Sequence, residues 1–152
     1  MPPVGKCYAG RMGRASGYEF FEHTADVGIR AWGPDLAATL TQAARALMEL
    51  LTGGEFTSTG DAHYDIALTA DSVEDLAVCW LQELLVRFDT EHLVPQTCDF
   101  QELTPQRLRA TIWAQRCDPA AERLGREVKA ITYHQLRLEQ TDGYRLEVIV
   151  DI

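Results

Sequence analysis

Nowhere does this 152-residue chain carry an apolar run approaching the roughly 20 residues that a membrane-spanning helix needs, so no membrane association is expected. Met1 to Ser16 hold Lys6, Arg11 and Arg14 but no continuous apolar segment, which argues against a signal peptide. Residues 1–16 read as a flexible basic tail ahead of one domain at 17–152. The cysteines at 7, 79, 98 and 117 show no Cys-x-x-Cys spacing, and no histidine lies near enough to complete a zinc knuckle. Reduced thiols in a reducing, cytoplasmic compartment are the expectation. Positive charge is also scarce: 14 Lys and Arg against 23 Asp and Glu leave a net charge of −9. A surface so acidic repels phosphate backbones, which disfavours tight direct binding of nucleic acid and suits a cation or a basic protein patch. There is no internal repeat, no nucleophile elbow, no His-rich ligand set and no second acidic cluster of two-metal type. A freestanding metal-dependent phosphoester hydrolase therefore finds little support.

What is present is an ordinary globular composition, 46% hydrophobic and 24% charged. A chain of this length buries about 68–70% of its unfolded surface in one core. Tyr18–Phe21 reads as a strand, and Val27, Ile29 and Ala31 alternate with Gly28, Arg30 and Trp32 in a second. Gly33-Pro34-Asp35 breaks the pattern and supplies the cap of a helix in which Leu36, Leu40, Ala43, Ala44, Leu47, Met48 and Leu51 recur at helical spacing until Gly53-Gly54. Thr57–Asp61 is expected to be a polar connector, followed by a strand through Tyr64, Ile66 and Leu68. Ser72 with Asp75 forms a capping-box-like start to a second helix carrying Val73, Leu76, Trp80, Leu84 and Phe88 on one stripe. That helix ends in Asp89-Thr90-Glu91-His92, an acidic end that reads better as solvated than as a cation site. A short strand at Cys98–Leu103 and another through Leu108–Gln115 follow, then a loop over Cys117–Arg126. The closing strands fall near Tyr133–Glu139 and Tyr144–Asp151, joined through Thr141-Asp142-Gly143, since Asp-Gly is a strong hairpin signal. The expected fold class is α+β: a mixed, mainly antiparallel sheet with two helices packed on one side.

The stretch Glu22-His23-Thr24-Ala25-Asp26-Val27-Gly28 concentrates chemistry where one strand ends and the next begins. Asp26 sits at that junction, and a turn is its plainer explanation because Asp bonds readily to nearby backbone amides. At the other end of the chain, Asp151 interrupts an apolar strand one residue before Ile152. The Asp151 carboxylate and the α-carboxylate of Ile152 are then expected to be two anions at one strand end, which repel unless a cation lies between them, and a hard divalent ion takes oxygen ligands of this kind. Whether Asp26 and Asp151 meet cannot be read from positions so far apart in the chain.

Taken together, Glu22–Gly28, the stretch Lys129-Ala130-Ile131-Thr132-Tyr133-His134 and the terminal Asp151-Ile152 resemble the archease family. The resemblance runs from about Tyr18 to Ile152, with the helix around Leu81-Gln82-Glu83-Leu84-Leu85 in register. It implies a non-enzymatic accessory protein of the GTP-dependent tRNA-splicing RNA ligase, one that promotes guanylylation of the ligase's active-site histidine and lets it turn over repeatedly. It further implies a divalent ion, calcium or else magnesium or manganese, held by Asp26, Asp151 and an oxygen of Ile152. Lys129 and His134 match the remaining motif as supporting residues. RNA would then be met only through the ligase. A chaperone that binds protein without taking part in catalysis is the other alternative.

Overall fold

The computed structural model describes residues 15–121 and 125–152. The basic tail expected at 1–16 lies outside them except for its last two residues. Strand β1 (Gly17–His23) turns through Thr24-Ala25 into β2 (Asp26–Gly33), paired antiparallel from Gly17↔Trp32 to His23↔Asp26. Helix α1 (Leu36–Thr52) follows. Asp35 caps it by accepting from Ala38 N at 2.8 Å, and Gly53 ends it in the left-handed conformation at φ 75°. Next come β3 (Ser58–Thr69), α2 (Val73–Glu91), β4 (Leu93–Leu103) and β5 (Arg107–Cys117). The chain closes with β6 (Ala130–Ile131), β7 (Arg137–Gln140) and β8 (Tyr144–Asp151).

The class is α+β, and every strand pairing is antiparallel, but the strands are divided between two sheets. One runs β1-β2-β8-β6 with β7 also on β8; the other runs β3-β5-β4. Helix α1 packs on β1, β2 and β8 and touches β4, while α2 packs on β3, β4 and β5 and reaches β6 and β7. The helical stripe expected on α1 is buried at every position. On α2, Leu76, Trp80, Leu84 and Phe88 are fully buried. Trp80 ties the layers together: its indole N–H donates to Leu40 O at 2.9 Å and its ring lies 5.3 Å from that of Phe100. In β2 and β8 the period-2 pattern sends Ile29, Ala31, Leu146, Val148 and Val150 into the core and leaves their neighbours on the outer face. Among the described residues, no helix is long and apolar enough to cross a membrane.

Three boundaries differ from the expectation. Thr57–Asp61 is mostly strand, because β5 is long enough to pair with Ser58 across a bulge at Thr59. β4 begins at Leu93 rather than Cys98. Leu93 and Val94 are buried, and Pro95 is tolerated on an edge strand beside a register shift. The strand expected at Tyr133–Glu139 is broken. Pairing with β8 covers Ala130–Ile131, the chain leaves the sheet through a turn with Gln135 at φ 53°, and it returns as β7 at Arg137. The Asp142-Gly143 hairpin forms as expected, with both residues at positive φ.

Candidate metal centre

The register of β2 on β8 sets the site. Pairing runs from Gly33↔Tyr144 to Val27↔Val150, and extending that register by one position sets Asp26 across from Asp151. β1 adds His23 opposite Asp26, and β6 adds Ala130 opposite Asp151. One rung of the sheet therefore crosses four strands as His23, Asp26, Asp151 and Ala130. Directly opposed residues, as Asp26 and Asp151 are in the extended register, project from the same face with Cβ atoms about 4.5–5.5 Å apart. Here that is the outer face, since Val27 and Val150 belong to the core side. Both aspartates are half-buried.

Two rungs further in, β1, β2, β8 and β7 carry Glu19, Arg30, Glu147 and Arg137. There each carboxylate faces a guanidinium. Arg30 Nε lies 2.7 Å from Glu147, its Nη1 reaches Glu19, and its guanidinium sits 4.7 Å over the Phe21 ring. Burial pushes the Glu147 carboxyl up, but the hydrogen bond and charge of Arg30, with Arg145 and Arg137, outweigh it and hold the group below its ordinary range. Between these rungs the Phe21 ring lies on Gly28, where a Cβ would collide with it. At the end of the same face, the Asp26–Asp151 rung sets carboxylate against carboxylate. Like charges directly opposite destabilise a strand pair unless a cation offsets them.

Lys129 stands at the same end of the sheet. Its backbone N–H donates to Asp151 O at 2.7 Å, which places it across from Ile152, and its side chain is exposed. His134 is positioned differently, in the turn that leaves the sheet after β6. Its amide N–H donates to Thr132 Oγ1 at 3.3 Å, and that hydroxyl donates to Ile149 O. Asp26, Asp151, Ile152 and Lys129 thus gather at one sheet end, and His134 lies outside the paired rungs. The acidic end of α2 is a helix terminus: Arg87 pairs with Glu83 and Glu91, and His92 closes the last turn.

Beside the rung opens a cleft of about 830 Å³, lined among others by Glu22, Thr24, Asp26, Leu50, Arg126 and Ile152. Asp26 belongs to both the rung and the cleft. Sequence reasoning missed Arg126 as a member of this region. The available signal was Gly125 immediately before it, a residue type that permits close backbone approach. Among the described residues, no group of three or more His, Cys, Asp or Glu side chains gathers closely enough to hold a metal. An ion here would draw on the two aspartates, an oxygen of Ile152 and water. That donor set is all oxygen, which fits calcium or magnesium and not zinc.

The model of the archease protein family (MTH1598/TM1083) matches residues 18–152. The archease of Methanosarcina mazei is 32% identical over 140 residues, covering 89% of this chain and 95% of its own. That of Saccharolobus islandicus is 36% identical over 138 residues, covering 89% and 98%. The solution structure of protein 1598 of Methanobacterium thermoautotrophicum superposes with a TM-score of 0.67 at 29% identity, covering 89% of this chain and 98% of that one. A crystal structure of an archease from Thermotoga maritima, described as a possible chaperone, shares the fold with a TM-score of 0.63 at 22% identity over 87% and 94% of the two chains. From residue 18 to residue 152, this chain belongs to the archease family.

Proposed function

We propose that this protein is an accessory factor that activates a GTP-dependent tRNA-splicing RNA ligase, promoting guanylylation of the ligase's active-site histidine and repeated turnover. In this reading Asp26, Asp151 and an oxygen of Ile152 hold a divalent ion, calcium or in its place magnesium or manganese. The observation that carries the reading is the β2–β8 register, paired as far as Val27↔Val150, which brings Asp26 and Asp151 to the same end of the sheet in a chain of the archease family. When bound, such an ion supplies charge neutralisation for phosphate groups during nucleotidyl transfer. The chain's own residues do the rest. The charge-alternating rung at Arg30 and the Phe21–Gly28 contact stiffen β1, β2 and β8, so the two carboxylates stay opposed. Lys129, fixed by its backbone to Asp151, offers an exposed cation to a phosphate or to an acidic group of the ligase. The net charge of −9 supports contact with RNA through the ligase rather than directly.

The test mixes the protein with its cognate RNA ligase, GTP and metal and follows ligase guanylylation over many turnovers. Stimulation by the wild type and its loss in Asp26→Ala and Asp151→Ala are the expected results. No stimulation by the wild type overturns the reading. Equal stimulation by the aspartate variants would leave a chaperone that binds protein without an ion, a role in keeping with the description of the Thermotoga maritima protein.

A further inference from the structure

The cleft beside Asp26 contains a guanidinium to which the reading above gives no task. Arg126 reaches it because the loop after β5 is anchored there. Its backbone N–H donates to Leu50 O at 2.6 Å, one of the last-turn carbonyls that α1 leaves unpaired. Gly125 lies so close to the Leu51 backbone that a Cβ would overlap it, and the buried Val128 pins the chain three residues further on. Arg30, Arg87, Arg107, Arg109, Arg137 and Arg145 each make an ion pair with a carboxylate, whereas Arg45 and Arg116, away from the cleft, make none among the described residues. Arg126 makes none among the described residues, although Glu22 and Asp26 line the same cleft. Its side chain is exposed. A guanidinium presents a rigid fork of donors that matches two phosphate oxygens. The volume falls within the roughly 300–1,000 Å³ of small-ligand clefts.

We infer that this cleft is a phosphate subsite and that Arg126 is its anion contact, receiving a phosphate group presented by the ligase complex. The inference rests on the ligase-activation reading. Two sources share the chemistry: the triphosphate of GTP and the phosphate end of the RNA. A simpler role for Arg126 is a positive charge near the C-terminal end of α1, and the variants separate the two. Arg126→Lys keeps the charge and loses the fork, whereas Arg126→Ala loses both.

The first arm measures stimulated guanylylation against GTP, and the second measures joining by a ligase already guanylylated against RNA. Arg126→Ala is expected to raise the half-maximal GTP or RNA concentration roughly tenfold, the size of a lost hydrogen-bonded charge contact, with Arg126→Lys recovering only part of it. A rise in the first arm alone identifies the triphosphate; a rise in the second alone identifies the RNA end. A readout independent of the ligase uses inorganic phosphate, titrated into the ¹⁵N-labelled full chain, and follows the Arg126 Nε–Hε resonance. A saturable shift is expected, and its absence overturns the subsite. Unchanged half-maximal concentrations in both arms, with a lowered melting temperature fully restored by Arg126→Lys, reduce Arg126 to a helix-end charge. If the wild type stimulates nothing, the activation reading falls and takes the subsite with it.

Discussion

Removing one of the two facing carboxylates separates stability from ion binding. Asp151→Asn keeps the outline of the side chain and deletes one charge from the rung it shares with Asp26. Two unit charges about 5 Å apart repel by about 0.8 kcal/mol in water and about 3 kcal/mol at an effective dielectric of 20. Both aspartates are half-exposed, so the lower figure applies, in line with cross-strand pair energies of about 0.2–1 kcal/mol. In the presence of a chelator, Asp151→Asn is therefore expected to be more stable than the wild type by about 0.5–1 kcal/mol. For a chain of this length that is about 1–4 °C in Tm. Excess ion reverses the order. At 100 times its Kd an ion adds about 2.7 kcal/mol to the wild type, about 5–11 °C, and much less to the variant. Thermal unfolding in EDTA, and then in excess calcium, magnesium or manganese at low ionic strength, measures both effects. Equal ion-induced shifts in the two proteins refute the pair as ligands. A variant less stable than the wild type in EDTA refutes the repulsion.

Two glycines next to the site differ in what a methyl group would meet. Gly125→Ala drives a Cβ into the Leu51 backbone, which cannot swing aside, and is expected to cost about 1–3 kcal/mol in urea unfolding together with the Arg126–Leu50 bond; an unchanged midpoint refutes this. Gly28→Ala meets only the Phe21 ring, so its cost should nearly vanish in a Phe21→Ala background, and strictly additive losses in the double variant would count against the contact. Glu147 governs the acid limb of stability. Its folded carboxyl lies below the ordinary value of 4.5, so its contribution is complete above that pH and is lost as pH falls through the folded value. Glu147→Gln should flatten that part of the acid-unfolding curve, and a curve that keeps the wild-type slope there would show that Arg30 gains nothing from the pair.

The sequence made local structure legible wherever one residue's environment is decided by its near neighbours. The α1 stripe from Leu36 to Leu51, the Asp35 and Ser72 caps, the Gly53 stop and the alternation in β8 all have periods or chemistries contained within a few residues. Boundaries failed where a distant partner decides them. Ser58 joins β3 only because β5 extends to Cys117, and Tyr133–Leu136 leave the sheet even though they look like strand. The allotment of strands to two sheets is likewise a matter of which edges meet, and no residue pattern announces it. The site shows the same division. Asp26 stood out at a strand junction and Asp151 as an acid ending an apolar strand, but their approach depends on the β2–β8 register. Arg126 was hidden because its place is set by a backbone bond to Leu50 across 76 residues.

That register also explains why the site lies at the end of the sheet and not along it. On one face of three adjacent strands, the inner rung is ordered Glu19, Arg30, Glu147, with opposite charges always in contact. The same arrangement was available to the terminal rung, where an arginine opposite Asp26 would have stabilised the β2–β8 pair. The chain instead brings two carboxylates to one end of the sheet, where their mutual repulsion is offset when a cation binds. It does so where the strands are still paired on both sides, by β1 and by β6, so repulsion cannot splay the pair apart. The backbone bond from Lys129 to Asp151 and the Arg30 clamp two rungs away bear the resulting load. A like-charge pair held rigid by its neighbours is preorganised for a positive ligand, because little further ordering is needed when the ligand binds.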